Sequence, residues 1–410
     1  MDFSLRENGS SVFGASKRYI GTWSVGLGWN LHKERFIADH LTWIDFLKLR
    51  ASIDNPGNQN FSSSKTLTTF NFQLASMNYF GMGAVLNQLG NPDLDWQITL
   101  DKNIGIDMTL IDKRLNITAD YYHKVTDPLL INISMPLSSG TSSYLTNMGK
   151  QISQGLTLSA SYYIIQKLDQ RFSWLVRGNL RTQKTKLDKI GNKLDELNKS
   201  GQGHNTVRYY NGADPDDIWA VKSAGIDPST GRELFYDKEG NYTYDFSYDN
   251  EVICGNTRPK IEGVIGTSLN YKGFSVSMNF RYQTGASVFN EALFNKVENI
   301  SVSGLNKNQD KRALYERWQN PGDKVRFKDI ANAASTPMSS RFIQKENVLS
   351  MESVYVGYEF YEGWIKKIGL SNLKIQASMR DVFRASTIKS ERGTLYPFAR
   401  SLELGLSFNF

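Results

Sequence analysis

Apolar and polar residues alternate one for one through much of this chain. Phe274, Val276, Met278, Phe280 and Tyr282 share one side of a strand, and Ser275, Ser277, Asn279, Arg281 and Gln283 take the other. Leu156, Leu158, Ala160, Tyr162 and Ile164 oppose Thr157, Ser159, Ser161 and Tyr163 in the same way. Leu373, Ile375, Ala377 and Met379 oppose Asn372, Lys374, Gln376, Ser378 and Arg380. The final segment sets Leu402, Leu404, Leu406, Phe408 and Phe410 against Ser401, Glu403, Gly405, Ser407 and Asn409. Strand side chains point to opposite faces with period two, so each segment has one greasy and one wet face.

The same pattern predicts strands over residues 23–29, 47–53, 98–110, 115–121, 172–180 and 261–271. Two weaker strands fall at 3–5 and 348–360, and in the latter the alternation shifts near Ser353, which predicts a bulge. Lys102 stands on the greasy face between Leu100 and Ile104, a position that requires a membrane interface or a bulge. Several of these strands reach about 9 residues, the length of a tilted membrane-spanning strand, where ordinary strands average about 5 to 6.

The connections carry a second pattern. Those at 9–18, 55–93, 128–152, 186–256, 286–345 and 384–397 alternate with those at 31–42, 111–114, 167–170, 272–273 and 361–370. The first set is long and the second is mostly short. Outer-membrane barrels have short periplasmic turns and long extracellular loops, and a soluble sandwich requires no such parity. The wet face carries Lys48, Arg50, Asp101, Asp107, Asp120, Arg177, Arg181, Glu262, Arg281, Lys374, Arg380 and Glu403. Such mixed charge suits a water-filled lumen or a polar plug, and the bland reading is the solvent face of a soluble sheet. Trp23, Trp29, Trp43, Trp96, Trp174, Tyr271 and Tyr282 near strand ends fit interfacial girdles, with ordinary core packing as the alternative for any one of them. Phe410 ends the chain on an amphipathic strand, as in barrels that present a terminal aromatic to their assembly machinery.

Composition narrows the classes further. Of 410 residues, 40% are hydrophobic and 12% aromatic, too many for a disordered coil. No run of about 18 apolar residues exists to form a membrane helix. Cys254 is the single cysteine, which excludes a disulfide scaffold. The net charge of +7 is dispersed, and no clustered basic stripe suggests nucleic acid. The stretch 184–199, with five Lys against Asp188, Asp195 and Glu196, reads as a solvated loop or short helix. Residues 1–6 show no basic and apolar leader.

Catalytic chemistry is not in evidence. His32, His40, His123 and His204 do not cluster, so neither a zinc site nor any other metal site is expected. No nucleophile elbow or phosphate-cradling loop occurs, no carboxylate pair stands out, and no cofactor is implied. Asp214, Asp216 and Asp217 lack the spacing of a calcium loop and read as an acidic turn. The runs 227–231 and 237–240 carry turn chemistry. In 309–319, Leu314, Tyr315 and Trp318 recur at helical spacing and are expected to fix their loop.

Several stretches together resemble the C-terminal barrel portion of the SusC/RagA family of TonB-linked outer-membrane transporters of Bacteroidetes. They are residues 45–52 with 57–60, Asn91-Pro92-Asp93-Leu94-Asp95-Trp96, residues 143–150 leading to Gly155, Ile218 to Phe235, Gly255-Asn256-Thr257-Arg258-Pro259, and 391–400. The resemblance covers essentially the whole chain. It implies an all-β fold: a transmembrane antiparallel β-barrel, of which these roughly 12 strands are the C-terminal part of about 22 around a plug. The family's signal peptide, TonB-contacting segment and plug lie upstream of such strands, so residues 1–410 are expected to be a fragment or to follow a mis-called gene start.

The resemblance implies TonB-dependent import of glycans or peptides together with a SusD-like surface lipoprotein, in contact with outer-membrane lipid and without enzymatic activity. The lipoprotein would close over the substrate and the TonB complex would pull on the plug. Leu402, Leu404, Leu406, Phe408 and Phe410 are the expected barrel-assembly signal. Trp219, Tyr209 and Tyr210 could stack on sugars, but packing within their loop is the expected role, and no substrate-binding residue is singled out. Two alternatives stay open: a self-contained 12-stranded outer-membrane pore or lipase, and a soluble carbohydrate-binding β-protein.

Overall fold

The computed structural model describes residues 1–13, 17–58, 65–135, 137–141, 143–167, 169–300, 304, 306–329, 331–332, 334–361, 363–388 and 400–409. The chain forms two compact units, residues 1–199 with 209–215, and residues 200–208 with 216–410. Parts of two stretches that carry the family resemblance, 59–60 and 391–399, lie outside the described residues, as does Phe410.

The first unit is an antiparallel sheet in chain order. Its strands are β1 (Asp2–Gly9), β2 (Tyr19–Trp29), β3 (Ile44–Asp54), β4 (Gln97–Leu110), β5 (Leu115–Thr126), β6 (Lys150–Lys167) and β7 (Phe172–Asp188). Each pairs with the next along the chain. The second unit repeats the arrangement with β8 (Ile261–Tyr271), β9 (Phe274–Phe289), β10 (Ile343–Phe360), β11 (Asn372–Ser386) and β12 (Leu402–Asn409). All twelve expected strands are present and most are longer than the alternation alone marks. The basic run from Lys184 is a case in point: it continues β7 to Asp188, and only Asp195–Gly201 is helical. Strand β6 has 18 residues, which at about 3.4 Å each exceeds the roughly 30 Å hydrocarbon layer. The surplus length carries the strands into the layer of loops.

Register puts like against like. On one face Leu49 stands opposite Ile106, Ile104 opposite Tyr121, and Leu158 opposite both Ala119 and Leu180. In the second unit the same face sets Val276 opposite Val356, Tyr358 opposite Ile375, and Ile375 opposite Leu406. Most of these side chains are exposed, Ile104 by 59%, and Leu404 on β12 is 78% exposed. Within each unit such an apolar face is far larger than a soluble monomer tolerates and matches a lipid-facing wall. The break near Ser353 is a bulge, since the registers on both sides of β10 skip Glu352. Lys102 is in regular register opposite Ile53 and His123, so no bulge excuses it. It is exposed in the half of β4 nearer the long 55–96 connection, where a lysine can reach polar surroundings.

The polar face is cross-linked. Arg50 on β3 donates to Asp107 on β4 at 2.6 and 3.0 Å and to Asp120 on β5 at 3.0 Å. Its side chain passes over Gly105, the residue opposite both Arg50 and Asp120. Tyr122 on β5 likewise crosses Gly155 on β6 to donate to Gln183 on β7 at 3.0 Å. A glycine on the middle strand leaves room for a long polar side chain to tie three strands.

The two crossings differ in what a methyl group would meet. At Gly155 a Cβ would lie 2.3 Å from the Thr182 carbonyl oxygen, and at Gly105 it would meet only the ends of Asp120 and Arg50. Gly155→Ala is therefore expected to cost about 2 kcal/mol through strain, and Gly105→Ala about 1 kcal/mol through the displaced ion pair. The temperature at which the folded protein loses its heat-modifiable gel mobility should fall further for Gly155→Ala. Equal shifts would refute the crossing argument.

Candidate functional site

At the long-connection end of the first unit, two of the resembling stretches lock together. Asn147 donates from Nδ2 to the Asp95 carbonyl at 2.8 Å and accepts at Oδ1 from the Asp95 N–H at 2.7 Å. Asn91 donates to the Leu145 carbonyl at 2.9 Å. Leu94 and Trp96 are buried with Phe13, whose ring centroid lies 4.5 Å from that of Trp96, and Trp96 Nε1 donates to the Lys17 carbonyl at 2.9 Å. Trp96 is thus a core residue and not part of a girdle. Trp29, Trp43 and Trp174 do stand exposed at the short-connection end of this unit, as Tyr271 does in the other. Beside Trp96, a polar cleft of about 730 Å³ is lined by Arg6, Glu7, Asn8, Thr22 and Asp54.

In the second unit the stretches around Ile218 and Gly255 also lock together. Asp217–Val221 pairs with Glu251–Asn256, Asn256 Nδ2 donates to Asp217 at 2.9 Å, and Arg258 binds the Asp216 carboxylate. Asp214 in the first unit accepts from the Thr185 N–H at 3.2 Å. The three aspartates are spent on the fold, and no metal cluster occurs among the described residues. Asp227 accepts from the Ser229 N–H at 2.9 Å and from the Ser229, Thr230 and Tyr244 hydroxyls, and Gly231 takes φ 69° to close the turn. The Tyr244 hydroxyl, then Ser229 and Thr230, hold this carboxylate well below the usual range. With the folded pKa depressed, the turn keeps its bonds as pH falls through the ordinary carboxylate range and loses them only in stronger acid.

The largest departure from expectation is a buried charged core in the second unit. Arg341 Nη2 reaches Glu233 and Glu298 at 2.7 Å each, Ser339 Oγ donates to Glu233 at 2.6 Å, and Thr336 Oγ1 donates to Glu298 at 2.9 Å. The three charged side chains are 9%, 7% and 0% exposed. Burial pulls the Arg341 guanidinium down, but the hydrogen bonds it donates to Glu298 and Glu233 hold it above its ordinary value. Arg317 is also buried and donates to the carbonyls of Val297, Glu298 and Lys328. These residues are spread from Glu233 to Arg341 and form no motif, so nothing in the spacing announces them.

The same core corrects one expectation. Only Arg312–Tyr315 is helical, and Leu314 and Tyr315 are 61% and 77% exposed. The residues that hold this loop are Ala313, Arg317 and Trp318, whose Nε1 donates to the Pro228 carbonyl at 2.9 Å. A single helical turn buries the face its tethers choose, and the tethers here are polar. Of the three aromatics considered for sugar stacking, Tyr209 packs against the cluster around Leu129 and Leu187, Trp219 N donates to the Thr206 carbonyl, and Tyr210 is 38% exposed.

Removing Arg341 leaves two buried carboxylates uncompensated, at a cost of about 3–5 kcal/mol. Arg341→Met should open the second unit's loops to proteolysis, with new cleavage between residues 290 and 342 while the strands stay intact. An unchanged digestion pattern would show that the ion cluster does not hold these loops.

The chain matches the TonB dependent receptor-like, beta-barrel family over residues 2–306. It is 26% identical over 98% of its length to TonB-dependent receptor P39 of Formosa agariphila, covering 42% of that protein. It is 24% identical over its whole length to TonB-dependent receptor SusC of Bacteroides thetaiotaomicron, again covering 42%. Among solved structures it resembles the RagAB peptide transporter, with a TM-score of 0.80 and 22% identity over 95% of this chain and 42% of that one. The chain therefore spans less than half the length of the relatives it matches. The paired antiparallel strands, exposed apolar face and long loops at one end agree with this match: the chain belongs to the TonB-dependent receptor β-barrel family, is of the SusC/RagA type, and is an outer-membrane protein.

Proposed function

We propose that this chain is the C-terminal part of the barrel of an importer that takes up glycans or peptides with a SusD-like surface lipoprotein. The carrying observation is the pairing of a lipid-facing apolar face with a charged inner face, below loops that fold into packed layers of their own. Each part has a physical task. Outward residues such as Leu158, Ile265 and Val356 hold the wall in hydrocarbon. Inward side chains such as Arg50, Asp107 and Tyr122 tie neighbouring strands and offer a wet surface to a plug and to passing cargo. The loops give the lipoprotein a rigid rim to close upon. Energy enters through the TonB complex, acting on the plug and TonB-contacting segment that this family carries ahead of such strands.

The native receptor, purified in mild detergent from its source membranes, is expected to bring a surface lipoprotein with it and to have a mass well above that of 410 residues. Uptake of labelled oligosaccharide or peptide by the cells should stop when the proton gradient is collapsed. Undiminished uptake without a lipoprotein partner would instead describe a passive pore.

Leu402, Leu404, Leu406 and Phe408 are 50–78% exposed on the greasy face of β12, which supports their proposed role, with Phe410, as the barrel-assembly signal. Deleting Phe410 should reduce the heat-modifiable receptor in the outer membrane severalfold, and unchanged yield would dispose of that role.

A further inference from the structure

The loops of the second unit form a pocket of about 170 Å³, open to solvent, that the wall does not need. Arg232, Glu233, Tyr244, Glu298 and Lys328 line it. Its two carboxylates are already committed to Arg341, with Ser339 and Thr336 donating to them as well. Lys328 is different. It is 7% exposed, and among the described residues its ammonium has one partner, the Ala334 carbonyl. A carbonyl occupies one of three donors and neutralises no charge. Burial pushes this amine below its ordinary value; Glu298 and, more weakly, Glu233 oppose that, and Arg317 and Arg341 add to it.

The lining carries Arg232 and Lys328 against Glu233 and Glu298, and both carboxylates are bound to Arg341 behind it. Arg317 also lies behind the lining, held by carbonyls and attracted by Glu298 and Asp329. Among the described residues Lys328 is thus left without an ion pair of its own. An ammonium buried without a direct ion pair is costly, and an incoming anion would relieve that cost. The other walls set the anion's type. Arg232 stacks on Tyr244 at 4.6 Å, and Phe235 and Phe246 stand beside them, so the ligand carries an apolar or ring-shaped body. Glu233 and Glu298 would repel a dianion such as phosphate.

We infer that this cavity binds a carboxylate carried on a small ring or side chain, with Lys328 as its inner partner and Arg232 at the mouth. The volume admits one such group and not an oligomer. That the bound group belongs to cargo rests on the import reading; the site itself does not.

The test is calorimetric titration of the native receptor in detergent with glucuronate, N-acetylaspartate and glucose. At least one acid should bind and glucose should not. Binding of glucuronate alone points to an acidic glycan, and of N-acetylaspartate alone to an acidic peptide. Lys328→Met should weaken the bound acid by about tenfold or more, the loss of one charge-assisted contact. Arg232→Gln changes an exposed side chain and should weaken it measurably without disturbing the fold, so it decides the matter if Lys328→Met misfolds. Absence of binding by both acids, equal binding of glucose, or wild-type affinity in folded variants overturns the site. Such a failure in a receptor that still imports cargo leaves the import proposal standing, and acid binding without energised uptake removes that proposal alone.

Discussion

A backbone N–H or C=O in hydrocarbon has no water to turn to, and each one left unpaired costs several kcal/mol. Within each unit, strand-to-strand pairing answers this constraint, and the rest follows from it. In each unit every strand lies antiparallel to its chain neighbour, so the links there fall alternately at the two ends. Period-two side chains then separate the solvents, with Leu158 and Val356 outward and Arg50 and Tyr122 inward. The bulge at Glu352 is admitted on a strand whose remaining pairs hold on both sides.

The inward face is where the wall becomes specific. Glycines 105 and 155 allow side chains to cross a whole strand, so polar bonds reach over three strands at a time. These ties are local and half-wet, and each is worth little alone. Their value lies in holding the polar surface in one arrangement. The loops follow a different rule. They bury charge deeply, and in the second unit the Arg341–Glu233–Glu298 cluster adjoins an apolar core of Leu293, Val297, Ala313, Phe327 and Phe342. A buried ion network of this kind is strong only while complete, so it ties three distant segments into one object.

The stretches that resemble the transporter family prove to be the ones that hold the loops to the strands. Asn147 clasps Asp95, and Asn256 clasps Asp217 while Arg258 binds Asp216. Asn147 satisfies backbone groups where the chain leaves regular pairing, and the other two bonds tie side chains across the loop, which are structural tasks.

Alternation along the chain was enough to find all twelve strands, their two faces, the bulge near Ser353 and the long and short ends, because each is a local consequence of period two. It could not tell that Trp96 is buried, that Leu314 and Tyr315 face outward, or that Lys184 continues a strand, since those depend on neighbours far along the chain. The acids and bases of the loop core sit at positions with no shared spacing, and a charge in a sequence looks the same whether it meets water or a partner. Strand and face were written in the sequence by itself; which charges are buried, and with whom, was decided by the tertiary structure, because burial and pairing are properties of distance in space.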